Sequence, residues 1–286
     1  MLLNMKDLLA VANTNKFAIP AFNIASYSMF NAVMEAVEEK QSPVIIAIHP
    51  VELNHLGEDV LRAIREKALK SSVPVCIHLD HGSSIEEVMK AIKSGYTSVM
   101  IDGSSLSFEE NIALCKEVVK LAHPINISVE GELGTIGTTD STTEYVSDDI
   151  IFSRPEDVVK FVNETGVDTL AIAIGTSHGL YPAGKTPHLR LDLLKEIKSK
   201  VSIPLVLHGG SSNADEEISK AVVLGVNKIN ISSDIKAAYF NKMREVLQNK
   251  GLREPDAIEP PCMEALKKVA IQKIELFQAD GKARLY

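Results

Sequence analysis

The sequence is short of cysteine, of positive charge and of long apolar runs, and each shortage narrows what the chain can be. Cys76, Cys115 and Cys262 are far apart and form no C-x-x-C pair. An odd, scattered set excludes a disulfide framework and reads as reduced thiols in a cytoplasmic protein. The 30 Lys and Arg stand against 38 Asp and Glu, a net charge of −8. That balance argues against nucleic acid or an anionic membrane as partner. It leaves room for an anionic substrate where backbone N–H groups and a metal supply local positive charge. No stretch approaches the roughly 20 apolar residues of a membrane span. The N-terminus, MLLNMKDLLAVANTNK, is helical in pattern. It lacks a basic start, a long apolar core and a small-residue cleavage site, so it does not read as a signal peptide. No Pro-rich linker or low-complexity tract divides the chain.

What is present is ordinary globular material: 286 residues, 45% hydrophobic and 24% charged. Length alone suggests two domains, but α/β barrels reach this size as one. Short β-branched runs at 17–23, 43–49, 74–81, 98–104, 126–133, 169–175, 204–210 and 228–234 predict eight strands. Most are apolar on successive residues, as expected of parallel strands covered on both faces. Helical patterns fill the gaps at about 26–40, 57–70, 84–94, 107–122, 155–165, 189–200, 213–224 and 234–248. SSIEEV and SSNADEEI open two of them with Ser caps and early acids. Eight βα units predict a single-domain (β/α)₈ TIM barrel over 1–286, with an extra C-terminal helix at about 262–278. A doubly wound open sheet is the alternative. Two polar segments break the rhythm, 134–153 and 176–188. Both follow strands at their C-terminal ends, and the length of the first reads as either a functional lid or a disordered segment.

Polar side chains at C-terminal strand ends of a barrel read as its site. Here they are Asn23, His49, Asp80, His81, Asp102, Glu130, Glu132, His178, His208 with Gly209, Gly210 and Ser211, Asn230, Ser232, Ser233 and Asp234. His49 and His78 read as hydrogen-bonded structural residues, and His55, His123 and His188 as surface ones. His81, His178 and His208 each stand beside a glycine at the same end of three strands. Three imidazoles with an open position make a catalytic zinc pattern. LHGGSS (207–212) and NISSD (230–234) add the Gly-rich turns of a barrel phosphate site, built on backbone N–H groups and a helix N-terminus.

In combination and order, IPAFN, SPVII, HLDHG, VMIDGS, VEGELG, AIAIGTSHGLY, PLVLHGGSS and KINISSD resemble the class II, zinc-dependent ketose-bisphosphate aldolases of the fructose- and tagatose-bisphosphate type. The resemblance covers nearly the whole chain, and SHGLY…KTP is most similar to the tagatose branch. It implies reversible cleavage of a ketose 1-phosphate or 1,6-bisphosphate into dihydroxyacetone phosphate and an aldehyde. It implies one Zn²⁺ per subunit on His81, His178 and His208, with Asp80 as the acid/base residue. It implies substrate binding by Asn23, Gly179, Gly209, Gly210, Ser211, Asn230, Ile231, Ser232 and Ser233, and a monovalent cation near the phosphate. Asp102 and Glu132 match acids near the metal, either ligands of a second ion or hydrogen-bond partners. A homodimer or homotetramer is expected. A class I aldolase would need a Schiff-base lysine. Strand 6 has none, and Lys228, at the start of strand 8, is expected on the wrong face.

The chain also departs from the family pattern. ELGTIGTTDS stands where ELGxxGGxED is usual, so Thr138 replaces a Gly and Asp140 a Glu. Asp140 or Glu144 is then the loop acid that exchanges the substrate C–H proton. The C-terminal Arg that helps bind a second phosphate is out of register in LREPDAIEPP, and His49 is unexpected at the end of strand 2. A metal-dependent hydrolase on the same barrel would show His-x-His on strand 1, which is absent here. A non-catalytic sugar-phosphate binder would have lost a zinc histidine or Asp80, and all four are present.

Overall fold

Strands that are apolar on successive residues need cover on both faces, and a closed parallel barrel ringed by helices provides it. The computed structural model, which describes residues 1–138, 150–180 and 188–286, has this form. The strands are β1 (Ile19–Asn23), β2 (Val44–Ile48), β3 (Val75–Gly82), β4 (Ser98–Ile101), β5 (Ser128–Leu133), β6 (Thr169–Ile172), β7 (Leu205–Leu207) and β8 (Val226–Ile231). All pair in parallel in sequence order, and β1 closes on β8 with Ile19 opposite Lys228 and Phe22 opposite Ile231. A doubly wound open sheet is thereby excluded.

The helices are α1 (Met5–Asn15), α2 (Tyr27–Glu39), α3 (Pro50–Lys70), α4 (Ile85–Lys93), α5 (Phe108–Ala122), α6 (Pro155–Thr165), α7 (Leu191–Lys200), α8 (Asp215–Leu224), α9 (Ser233–Val246) and α10 (Pro255–Leu276). Helix α1 closes the N-terminal end of the barrel: Leu8 and Leu9 are fully buried and the Met5 N–H donates to Ser128 Oγ at 2.9 Å. Helix α4 starts as SSIEEV predicts, with Ser84 accepting from the Glu87 N–H. The Ser cap expected for α8 does not form. Ala214 is its N-cap, and the preceding polar residues tie the β7 loop together instead.

Two helices begin earlier than predicted. Helix α3 runs from Pro50 through a non-helical Gly57 (φ 73°, ψ 166°), so the stretch at 57–70 is only its second half. Helix α10 starts at Pro255 and carries Pro260 and Pro261 inside it, where a sequence reading stops at the prolines. Packing against α2 and α9 holds it helical, and burial of Cys262, Leu266, Ala270 and Ile274 offsets the missing N–H donors. Beyond the barrel, Gly137–Thr138 pairs in parallel with Ser177–His178. All three cysteines are free and buried. Among the described residues no helix is long and apolar enough to cross a membrane.

Candidate active site

Adjacent residues of a strand normally face opposite sides, yet the site needs both Asp80 and His81. The β3–β4 register shifts between Leu79 and Gly82, and His81 takes a left-handed φ of 52°. This one-residue irregularity brings both side chains onto the C-terminal rim. A non-glycine φ of this kind costs about 1–3 kcal/mol and persists only where the surroundings fix it. Here the His81 N–H donates to Met100 Sδ at 3.4 Å, and its Nδ1 bonds Asp102 Oδ2 at 3.0 Å. Gly82 follows because a Cβ there would lie 2.7 Å from Met100 O.

His81 (β3), His178 (after β6) and His208 (after β7) converge. Their ring centroids are 5.0 Å apart for His81 and His178, and 4.6 Å for His81 and His208. One ring nitrogen of each lies within 4.8 Å of the others. A second such group joins His81, Asp102 and Glu132. His208 Nε2 bonds Glu130 Oε1 at 2.9 Å. Glu130 Oε2 in turn accepts from Lys228 Nζ at 2.7 Å, and Lys228 Nζ lies 3.3 Å from His78 Nε2. All of these groups are buried: Glu130, Lys228 and His78 are 0% exposed.

Two buried atoms test whether a cation fits. His208 Nδ1 and Glu132 Oε2 lie 3.2 Å apart, and neither makes a hydrogen bond. With Nε2 committed to Glu130, Nδ1 is the free lone pair, and it faces a carboxylate oxygen. Imidazole nitrogens and a carboxylate are the donors a divalent transition metal takes. Without another cation a proton fills the need. Burial alone would lower His208, but Glu132 and Glu130 outweigh it and hold its pKa up at about 10. Burial and the neighbouring His81 and His208 push His178 the other way, to about 3, so it stays a neutral ligand. The residues fit the group.

Asp80 is buried between two amides. Asn23 Nδ2 donates to its Oδ2 at 2.7 Å and Asn230 Nδ2 to its Oδ1 at 2.9 Å. Burial works against the charge, but His81, Lys228 and His208 hold Asp80 well below the usual carboxylate range. An ionised, clamped carboxylate beside the imidazole cluster is held in a fixed position to exchange a proton with a group bound there.

The loop after β7 is preformed. Gly209 has φ 62°, and a Cβ on it would lie 2.5 Å from Ser177 O. The Gly210 N–H donates to Asn230 O at 3.0 Å, and Asn213 Nδ2 to Gly209 O and Ser211 O at 2.7 and 3.0 Å. Ser211 Oγ accepts the Asp234 N–H at 3.3 Å, which joins the loop to the N-terminus of α9. Ser232 and Ser233 open that helix, and their side chains make no cap bond there. A helix N-terminus beside a Gly-rich turn is an anion cradle.

The structure thus gathers Asn23, Asp80, His81, Asp102, Glu132, His178, Gly179, His208, Gly209, Gly210, Ser211, Asn230, Ser232 and Ser233 at one end of the barrel. Ile231 is the buried last residue of β8. Asp140 and Glu144 lie outside the described residues. Lys228 is corrected: its side chain points into the barrel beneath the histidines, and its pairing with Glu130 is what removes it as a free amine. The sequence places Glu130 among the strand-end polar residues but assigns no role to it, and it points to no site role for Lys228 or His78. Spacing of two carried the signal, since Glu130 and Glu132, His78 and Asp80, and Lys228 and Asn230 face the same way along their strands.

The fructose-bisphosphate aldolase class-II family model matches residues 3–282. The D-tagatose-1,6-bisphosphate aldolase subunit GatY of Klebsiella oxytoca is 36% identical, over 98% of this chain and 99% of that one. The fructose-bisphosphate aldolase of Geobacillus stearothermophilus is also 36% identical, over 99% of each. The crystal structure of the YdjI aldolase from Escherichia coli K12 superposes with a TM-score of 0.88 at 36% identity, covering 99% of this chain and 100% of that one. Barrel, site geometry and full-length similarity agree: the chain belongs to the class II fructose-bisphosphate aldolase family, and is an aldolase.

Proposed function

We propose that the chain is a zinc aldolase that releases dihydroxyacetone phosphate and an aldehyde from a ketose 1-phosphate or 1,6-bisphosphate. The observation that carries this is the cluster of His81, His178 and His208 against Asp80. His81, His178 and His208 would hold one zinc ion, which when bound supplies Lewis-acid polarisation of the ketone oxygen. Asp80 takes the proton from the C4 hydroxyl during cleavage and returns it during synthesis. Asn23 and Asn230 hold its two oxygens in place. Gly179, the Gly209–Ser211 turn and the Asn230–Ser233 segment cradle the phosphate, with a monovalent cation beside it. Glu130 fixes the ring of His208, and Asp102 that of His81, as carboxylates behind metal-binding imidazoles do. Asp140 or Glu144 moves the C–H proton. The test is metal analysis of His208→Ala beside wild type. Loss of both metal and cleavage is expected; full turnover after exhaustive chelation would overturn it.

Recognition of a second phosphate is weak in this reading. Arg253 is exposed ahead of α10, in a segment where the family's phosphate-binding arginine is out of register. Loss of a charge-assisted contact removes about 1.5–3 kcal/mol. The enzyme then separates 1,6-bisphosphates only modestly from 1-phosphates. A preference for the bisphosphates above about a thousandfold in kcat/KM, or more than about 4 kcal/mol, would overturn this. We further propose that the chain works as a homodimer or homotetramer in the cytoplasm.

A further inference from the structure

The rim is unevenly used. Strands β3 to β6 supply the acids and two of the histidines, and β7 and β8 supply His208 and the phosphate cradle. That leaves the β1–β2 quarter, beside Asp80, for whatever lies beyond the bond being broken. Asp80 works on the oxygen at that bond, so the aldehyde half of the substrate must pass this quarter.

His49 stands there, at the end of β2, with its ring centroid 6.2 Å from that of His81. Its ring accepts one backbone hydrogen bond, and its backbone is braced through Glu52. The Val51 N–H donates to His49 Nδ1 at 3.4 Å, and the His49 N–H donates to Glu52 Oε2 at 3.1 Å. The other oxygen of Glu52 accepts from Lys236 on α9, which braces the turn against the helix that follows β8. Because Nδ1 accepts a backbone N–H, the neutral ring carries its proton on Nε2. Burial favours that neutral form and lowers the His49 pKa; Asp80 opposes this and His81 adds to it. Among the described residues Nε2 has no hydrogen-bond partner.

We infer that His49 is a specificity-determining residue whose Nε2–H binds an oxygen on the aldehyde half of the substrate, selecting hydroxylated aldehydes over unsubstituted ones. This rests on the aldolase reading and gives it a substrate class, a polyhydroxylated aldehyde. A neutral donor in a rigid setting rewards an acceptor oxygen without demanding a charge. It therefore accepts a chain that ends in a hydroxyl as readily as one that ends in phosphate.

His49 also caps α3, and two variants separate the roles. His49→Asn keeps an acceptor at the cap and removes the Nε2–H; His49→Gln keeps a donor of similar reach. Addition of dihydroxyacetone phosphate to glyceraldehyde is compared with addition to propanal, which has no hydroxyl. Solvent hydrogen exchange into dihydroxyacetone phosphate, which needs no aldehyde, is followed in parallel. For His49→Asn at unchanged Tm, kcat/KM with glyceraldehyde is expected to fall about tenfold more than with propanal, and about tenfold more than the exchange rate. His49→Gln is expected to recover most of that difference. Equal losses with both aldehydes, or a loss matched by the exchange rate, would overturn the assignment. Wild-type enzyme with neither exchange nor addition would instead remove the aldolase reading beneath it.

Discussion

Lys228→Met tests the charge arrangement under the histidines. Lys228 and Glu130 are both 0% exposed and their charged atoms are 2.7 Å apart. The substitution keeps the length of the stem and strips Glu130 Oε2 of its ammonium, leaving a carboxylate supported by His208 and, at 3.4 Å, His78. Breaking a buried pair this way costs about 3–5 kcal/mol. At about 2.1 cal/mol/K per residue, an unfolding entropy near 0.6 kcal/mol/K puts the fall in Tm at roughly 5–8 °C. The pH dependence has a defined sign. In the wild type burial raises the Glu130 pKa, but Lys228, His208 and His78 outweigh it and bring it to about 2. A depressed carboxylate contributes stability that is present above its unfolded value near 4.5 and is lost as pH falls through 2. Without Lys228, its largest opposing charge, burial is expected to gain the upper hand and turn the shift upward. The deficit of the variant should then be smaller at pH 5 than at pH 8. Lys228→Met/Glu130→Gln removes the stranded charge and should recover at least half of the lost stability, while the introduced amide carbonyl still receives His208 Nε2–H. Calorimetry at the two pH values is the assay. A single-variant cost below about 1 kcal/mol, or a double variant no better than the single, would refute the reasoning.

Asp80→Ala is expected to retain metal, by atomic absorption, while cleavage falls by about 10²–10⁴; a loss under tenfold would reduce Asp80 to a structural role. Asp140→Ala and Glu144→Ala, assayed for solvent hydrogen exchange into dihydroxyacetone phosphate, should differ, and the one that abolishes exchange with metal still bound identifies the base that takes the C–H proton. Lys198 is lowered by burial to about 8. Between pH 8 and its unfolded value near 10.4 the unfolded chain binds the extra proton, so the stability of wild type relative to Lys198→Met should rise across that window in denaturation midpoints.

Much of this was legible in the sequence because parallel strands declare themselves. FAIPAFN, PVIIAIH and PVCIHLDH are apolar on consecutive residues, and that pattern has few other homes. The histidines were legible because each sits beside a glycine at a strand end. The layer beneath them was harder to read. Glu130, Lys228 and His78 are charged or polar residues inside strands, and which partner each meets depends on register across the barrel. Serine in SSNADEEI looked like a helix cap, yet the loop uses its polar groups to hold itself and α9 together. The prolines of LREPDAIEPP looked like a helix end, and tertiary packing overrode them.

The two amides on Asp80 come from β1 and β8, the strands that meet at the seam of the barrel. They are separated by 207 residues in the chain and by one ladder in space (Ala21 lies opposite Asn230). Loop closure over such a span is entropically costly and slow, so the seam is among the last contacts that folding can make. The carboxylate therefore acquires its final environment only when the ring shuts. An open intermediate with β3, β6 and β7 in place would already bring the three histidines together, yet Asp80 would still lack its clamps. Regain of turnover during refolding should accordingly lag behind regain of metal uptake, which makes catalysis itself a reporter of ring closure.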